Sequence, residues 1–127
     1  MTQNRPININ LLKIKLPLSA FLSITHRISG ILIFFLVLPL SVFIFSELTL
    51  NQDSFDNFMS TYHTNLGIKF GCIGLILIFQ YHIFTGIRHI LMDFHILNET
   101  LSSSHKSAVT TLVLFSVNTL LTLWVML

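Results

Sequence analysis

ISGILIFFLVLPLSVFIF, residues 28–45, contains no charged side chain, and its reading decides the class of fold. A helix needs roughly 20 apolar residues to cross the ~30 Å hydrocarbon core of a bilayer. The block meets that length once it is extended back through Ala20, with His26 and Arg27 at its end. Working outward, two further apolar blocks run from Gly67 to Met92 and from Ala108 to Leu127. With no water to satisfy the backbone, each must be a helix. Pro39 falls near the far end of the first, where it kinks a helix rather than ending it.

The composition agrees. Hydrophobic residues make up 53% of the 127-residue chain, charged residues 9%, and the mean hydropathy is +0.79. A soluble domain carries about a quarter charged residues. The expected fold is therefore an all-α membrane protein with three transmembrane helices, roughly 20–46, 67–92 and 108–127, forming a single anchor domain over 1–127. A formal charge of +2, scattered along the chain, argues against nucleic acid as a partner. Cys72 stands alone in an apolar run, so there is no disulfide framework from which to read a redox compartment.

The first block begins too far from Met1, is too long, and lacks the small-residue cleavage site of a secretory signal, so insertion without cleavage is expected. The amino terminus also lacks the Arg- and Ser-rich composition of a transit peptide, which favours a bacterial inner membrane over import into an organelle. Orientation follows from the basic residues. Arg5, Lys13, Lys15 and Arg27 flank the start of the first span, and Arg88 and Lys106 flank the connection between the second and third. The loop 46–66 carries Glu47, Asp53 and Asp56 but no Lys or Arg, with Lys69 just beyond it. The positive-inside rule then puts the amino terminus in the cytoplasm, or the matrix of a mitochondrion, and the carboxyl terminus outside.

Ionisable residues inside such helices are costly and mark function. YHIFTGIRH, residues 81–89, holds three of them at the inner end of the second span, opposite His26 and Arg27. At about 100° per residue, Gly67, Gly71, Gly74, Ile78, His82, Thr85, Gly86 and His89 share an arc of roughly 120°. Phe70, Ile73, Leu77, Phe84 and Leu91 lie opposite and suit lipid. Glycines on the first arc admit close approach by another helix or a flat cofactor.

His82 lies roughly 9 Å deeper than Arg88. A neutral imidazole at that depth needs partners for its nitrogens, and either a haem iron or a hydrogen bond to a neighbouring helix supplies one. His89 is two turns from His82, so the two cannot ligate one iron, and a second ligand would come from another subunit. His89, His63, His95 and His105 suit the solvated interface. On the first span, Ser23 and Arg27 are one turn apart and could bind the oxygens of a polar-headed lipophile. Arg27 could equally be a snorkelling anchor.

RPININ from Arg5, SITHRISG from Ser23 and YHIFTGIRHILMDF from Tyr81, in that order and spacing, resemble the cytochrome b subunit of succinate dehydrogenase. That family comprises small three-helix anchors of respiratory complex II. The resemblance implies that His82 is an axial ligand of haem b, with the other axial histidine on a second anchor subunit. It implies that Ser23 and Arg27 belong to the ubiquinone site, and that His26 and Arg27 lie near the haem propionates. Its implied partners are that second anchor subunit, an iron-sulfur subunit and a flavoprotein subunit. The chain itself would be non-catalytic, helping electrons pass from succinate to ubiquinone in the inner membrane of a bacterium, or of a mitochondrion if organelle-encoded. A different class is a proton or ion carrier using His82, Arg88 and His89 as a relay.

Overall fold

The computed structural model describes residues 16–97 and 100–127. RPININ and the basic residues Arg5, Lys13 and Lys15 lie outside that range. Three helices are long and apolar enough to span a bilayer: α1 (Leu18–Leu50), α3 (Leu66–Asp93) and α4 (Leu101–Met126). A shorter helix, α2 (Gln52–Thr64), joins the first two. No strand occurs among the described residues.

The first span is continuous through Pro39 because the turn before it widens. Ile33–Val37 is a π-helical segment, closed by the Leu38 N–H donating to the Ile33 carbonyl. A proline ring would otherwise collide with the carbonyl four residues back, and the wider turn makes room for it. At 33 residues α1 is about 50 Å long, well beyond the hydrocarbon thickness, so it tilts or projects from the bilayer.

Asn51 has an extended backbone and its side chain accepts from the Ser54 N–H, which starts α2. Asn65 does the same for α3, accepting from Gly67 and Ile68. Thr100 caps α4 by accepting from Ser103, which starts the third span seven residues before the apolar block does. At the end of α3 the chain turns at His95, whose φ of 54° lets the Ile96 and Leu97 N–H groups reach back to the Leu91 carbonyl.

Helix α3 packs against both other spans. The interior is small and partly polar: Leu22, Val37, Ile73 and Ala108 are buried, but so are Ser29, Thr85, Arg88, Ser104 and Thr111. Lipid is as apolar as leucine, so burial of leucine drives little association, and close packing plus interhelical hydrogen bonds carry it instead. Thr25 bonds the Tyr81 hydroxyl between α1 and α3, and Gln80 donates to Thr122 at 2.8 Å between α3 and α4. The large side chains turn outward, Phe35 at 73% and Trp124 at 82% exposure.

Two sequence expectations change here. Ile73, assigned to the lipid side of α3, is buried at 3% exposure, and Phe84 on the same side meets Phe115 of α4 edge-on at 6.4 Å. At Phe84 the supposed lipid face is where the third span packs, whereas Phe70 on the same side stays outward at 56% exposure. Conversely, a Cβ on Gly71 or Gly74 would meet nothing within 4 Å, so these glycines border an open apolar groove with Leu36, Leu40 and Phe43.

Candidate functional site

The chemistry collects where α1 and α3 cross at the end carrying SITHRISG and GIRH. The His26 and His82 rings stack with centroids 4.2 Å apart and planes 13° from parallel. His89 stands beside His26, centroids 5.0 Å apart and tilted by 42°. His89, assigned to the interface from its spacing, is thus the third member of a cluster and half-buried.

Two glycines make the stack possible. A Cβ on Gly30 would lie 3.3 Å from His82 Cε1, and one on Gly86 would lie 3.2 Å from His26 Nε2. The helices run antiparallel, so each ring lies over the glycine one turn beyond the other's histidine. Close backbone approach at Gly86 was expected, and here the flat group that approaches is an imidazole from α1.

Ser29 is the member of the cluster that spacing did not single out. It is 5% exposed, lies 2.9 Å from His82 Nδ1, and donates to the His26 carbonyl at 2.7 Å. His26 Nε2 is buried and has no hydrogen-bond partner among the described residues. Such an orphaned nitrogen is costly unless something else reaches it. Ser23 is half-buried one turn before Arg27, which is exposed beside the cluster.

Arg88 belongs elsewhere. It is 3% exposed; its Nη2 donates to both the carbonyl and the hydroxyl of Ser104 at 3.2 Å, and its Nε donates to Ser107 at 3.1 Å. It clamps α3 to α4, about a third of a turn away from the histidine face. His82, His89 and Arg88 therefore do not line up as a relay.

Residues 1–123 match the family model of the succinate dehydrogenase/fumarate reductase transmembrane subunit. The chain belongs to that family. It is 37% identical over 93 residues, 73% of this chain and 74% of the relative, to the succinate dehydrogenase cytochrome b556 subunit of Coxiella burnetii. It is 33% identical over 112 residues, 87% of this chain and 88% of the relative, to the succinate dehydrogenase cytochrome b560 subunit of Porphyra purpurea. A succinate dehydrogenase/fumarate reductase transmembrane subunit with relatives called cytochromes b invites a test of its donors against haem.

The donors present would suit a single ligand position on a haem iron. An imidazole ligates through a lone pair in the plane of its ring, and stacking on His26 covers only ring faces. With Nδ1 engaged by Ser29, Nε2 is the nitrogen of His82 open to a metal. Rings stacked face to face at 4.2 Å do not turn two nitrogens toward one iron, so His26 would not serve as a second ligand beside His82. Among the described residues no group of three His, Cys, Asp or Glu side chains is placed to hold a bare metal ion.

Proposed function

We propose that this chain anchors a succinate:ubiquinone oxidoreductase in the membrane, supplies His82 as one axial ligand of haem b, and contributes Ser23 and Arg27 to a ubiquinone site. The observation that carries the reading is His82 itself: a half-buried imidazole with Nδ1 held by Ser29, one face stacked on His26 and Cε1 against Gly30, leaving one in-plane nitrogen for a ligand. When bound there, haem b supplies a one-electron store beside the quinone.

The chain's own residues then divide the work. Ser29, Gly30 and His26 hold the His82 ring. His26 and Arg27 offer donors to the haem carboxylates, which gives the unpartnered His26 Nε2 a bonding partner. Arg27 presents a planar, permanently charged fork and Ser23 a hydroxyl one turn away, a pair suited to a quinone carbonyl at the membrane boundary. The opposite axial histidine comes from a second small anchor subunit. Succinate is oxidised in a flavoprotein subunit and an iron-sulfur subunit conducts the electrons. The amino terminus lies in the cytoplasm of a bacterium, or in the matrix if the chain is organelle-encoded.

The test is His82→Leu in the purified complex. Leucine fills similar volume but offers no lone pair, so the helix inserts and the b-type band in reduced-minus-oxidised spectra is lost or strongly shifted. An unchanged band would remove His82 from the iron.

A further inference from the structure

Three contacts hold the His82 ring, and they do different things. The stack on His26 and the approach to Gly30 fix the plane in which the ring lies. Neither distinguishes one edge of the ring from the other. Turning the imidazole over about its Cβ–Cγ bond exchanges a nitrogen for a carbon at each position while preserving both packing contacts. Only the hydrogen bond with Ser29 tells the two edges apart.

That bond also carries a direction. A serine hydroxyl has a single proton, and Ser29 Oγ donates it to the His26 carbonyl at 2.7 Å. Toward His82 Nδ1, 2.9 Å away, the same oxygen must therefore accept. A neutral imidazole has one N–H, which is then on Nδ1, and the lone pair is on Nε2. At 5% exposure Ser29 has little water to compete for either bond. From this we infer that Ser29 is the positioning residue of the site, fixing both the orientation and the tautomer in which His82 presents Nε2 to the iron.

The inference rests on His82 as the haem ligand. It assigns to the HRIS segment of α1 two functions in one turn: His26 provides the stacking surface, and Ser29, three residues on, provides the acceptor. An N–H acceptor behind a ligating imidazole makes the ligand more electron-rich, which stabilises ferric over ferrous iron. Removing the acceptor should act in the opposite sense.

The experiment compares Ser29→Ala, Ser29→Thr and His82→Leu in the intact complex, reading haem content, the ferric electron paramagnetic resonance g-values and the haem midpoint potential. Ser29→Ala is expected to retain a b-type band with a raised midpoint potential and shifted g-values. Threonine keeps a hydroxyl that can bond the same carbonyl, so Ser29→Thr is expected to return both values to those of the parent. If Ser29→Ala loses its haem and Ser29→Thr recovers it, the inference stands. A parental potential and parental g-values in Ser29→Ala would overturn it, as would a haem loss that threonine does not repair, since that would be a packing defect. The underlying ligand assignment fails separately: it falls if His82→Leu keeps the parental spectrum, whereas loss of haem in His82→Leu with a silent Ser29→Ala removes only Ser29.

Discussion

Replacing Arg88 with methionine tests whether the most buried charge among the described residues serves architecture rather than electron transfer. Methionine keeps much of the length and apolar stem but abolishes the three bonds to Ser104 and Ser107. Hydrogen bonds between helices in membrane proteins couple by about 0.6 kcal/mol on average and up to about 1.7 kcal/mol. A charged donor lies toward the top of that range, because such bonds are roughly twice as strong as neutral ones. The loss for Arg88→Met is then about 2–4 kcal/mol. Ser104→Ala removes only the hydroxyl and leaves the carbonyl, so the coupling between the two changes in a double-mutant cycle should be about 1–1.7 kcal/mol. Ser107 should couple more weakly, since its hydroxyl already donates to the Ser104 carbonyl at 3.0 Å and keeps that bond without the arginine. Reversible steric-trap unfolding in bicelles gives the energies, and the difference spectrum should keep its b-type band throughout. A coupling below about 0.3 kcal/mol, the level found between unrelated sites, would refute the clamp. Loss of the band in an otherwise stable Arg88→Met would place the arginine back in the functional site.

Three further outcomes are expected. Gly86→Ala puts a Cβ 3.2 Å from His26 Nε2, and the ring can retreat only by disturbing its stack on His82, so a loss of about 1 kcal/mol together with a shifted b-type band should follow; an unchanged band and stability would mean that the ring moves freely. Ser23→Ala, at about 1 kcal/mol, and Arg27→Lys, through the lost planar fork, should lower succinate oxidation with a short-chain ubiquinone while sparing it with a water-soluble dye. Equal losses with both acceptors would indicate failed assembly. Reporter fusions after Leu66 and after Leu127 should both report the outer side. The two must at least agree, because Lys69 donates to the Leu127 carbonyl at 3.2 Å and Tyr62 to that of Met126 at 3.1 Å, and discordant reporters would contradict the fold itself.

The spans were legible because hydrocarbon imposes a length and a polarity that few other environments demand. Helix α2 was not, since 46–66 lies between two apolar blocks and was read only as the loop connecting them. Its signal was nonetheless present. Phe55, Phe58, Met59 and Tyr62 repeat at the spacing of one helical face behind the capping Asn51, and Phe58, Met59 and Tyr62 line an apolar pocket with Ile44, Phe45 and Leu75. Helix α3 was misread on one side for a different reason. Dividing it into a functional face and a lipid face assumes one neighbour, whereas it has two, and Ile73, Phe84 and Arg88 answer to the second.

The functional site shows where spacing along one chain stops being informative. Depth alone isolated His82, because the cost of an imidazole in hydrocarbon belongs to a single residue. Its supports are pairwise. His26 and Gly30 are four apart on α1, and His82 and Gly86 are four apart on α3. Neither spacing names its partner on the other helix, but two helices crossing antiparallel turn the pair of spacings into reciprocal contacts, each histidine over the other's glycine. Ser29 enters by the same logic. It shares a turn with His26, so the crossing that stacks the two rings also delivers the hydroxyl to Nδ1. The ring that depth picked out thus receives its plane from one pair of residues and its direction from a third. Of these, His26 stood out as an ionisable residue in an apolar helix, whereas Gly30 and Ser29 carry no cost of their own that a sequence displays.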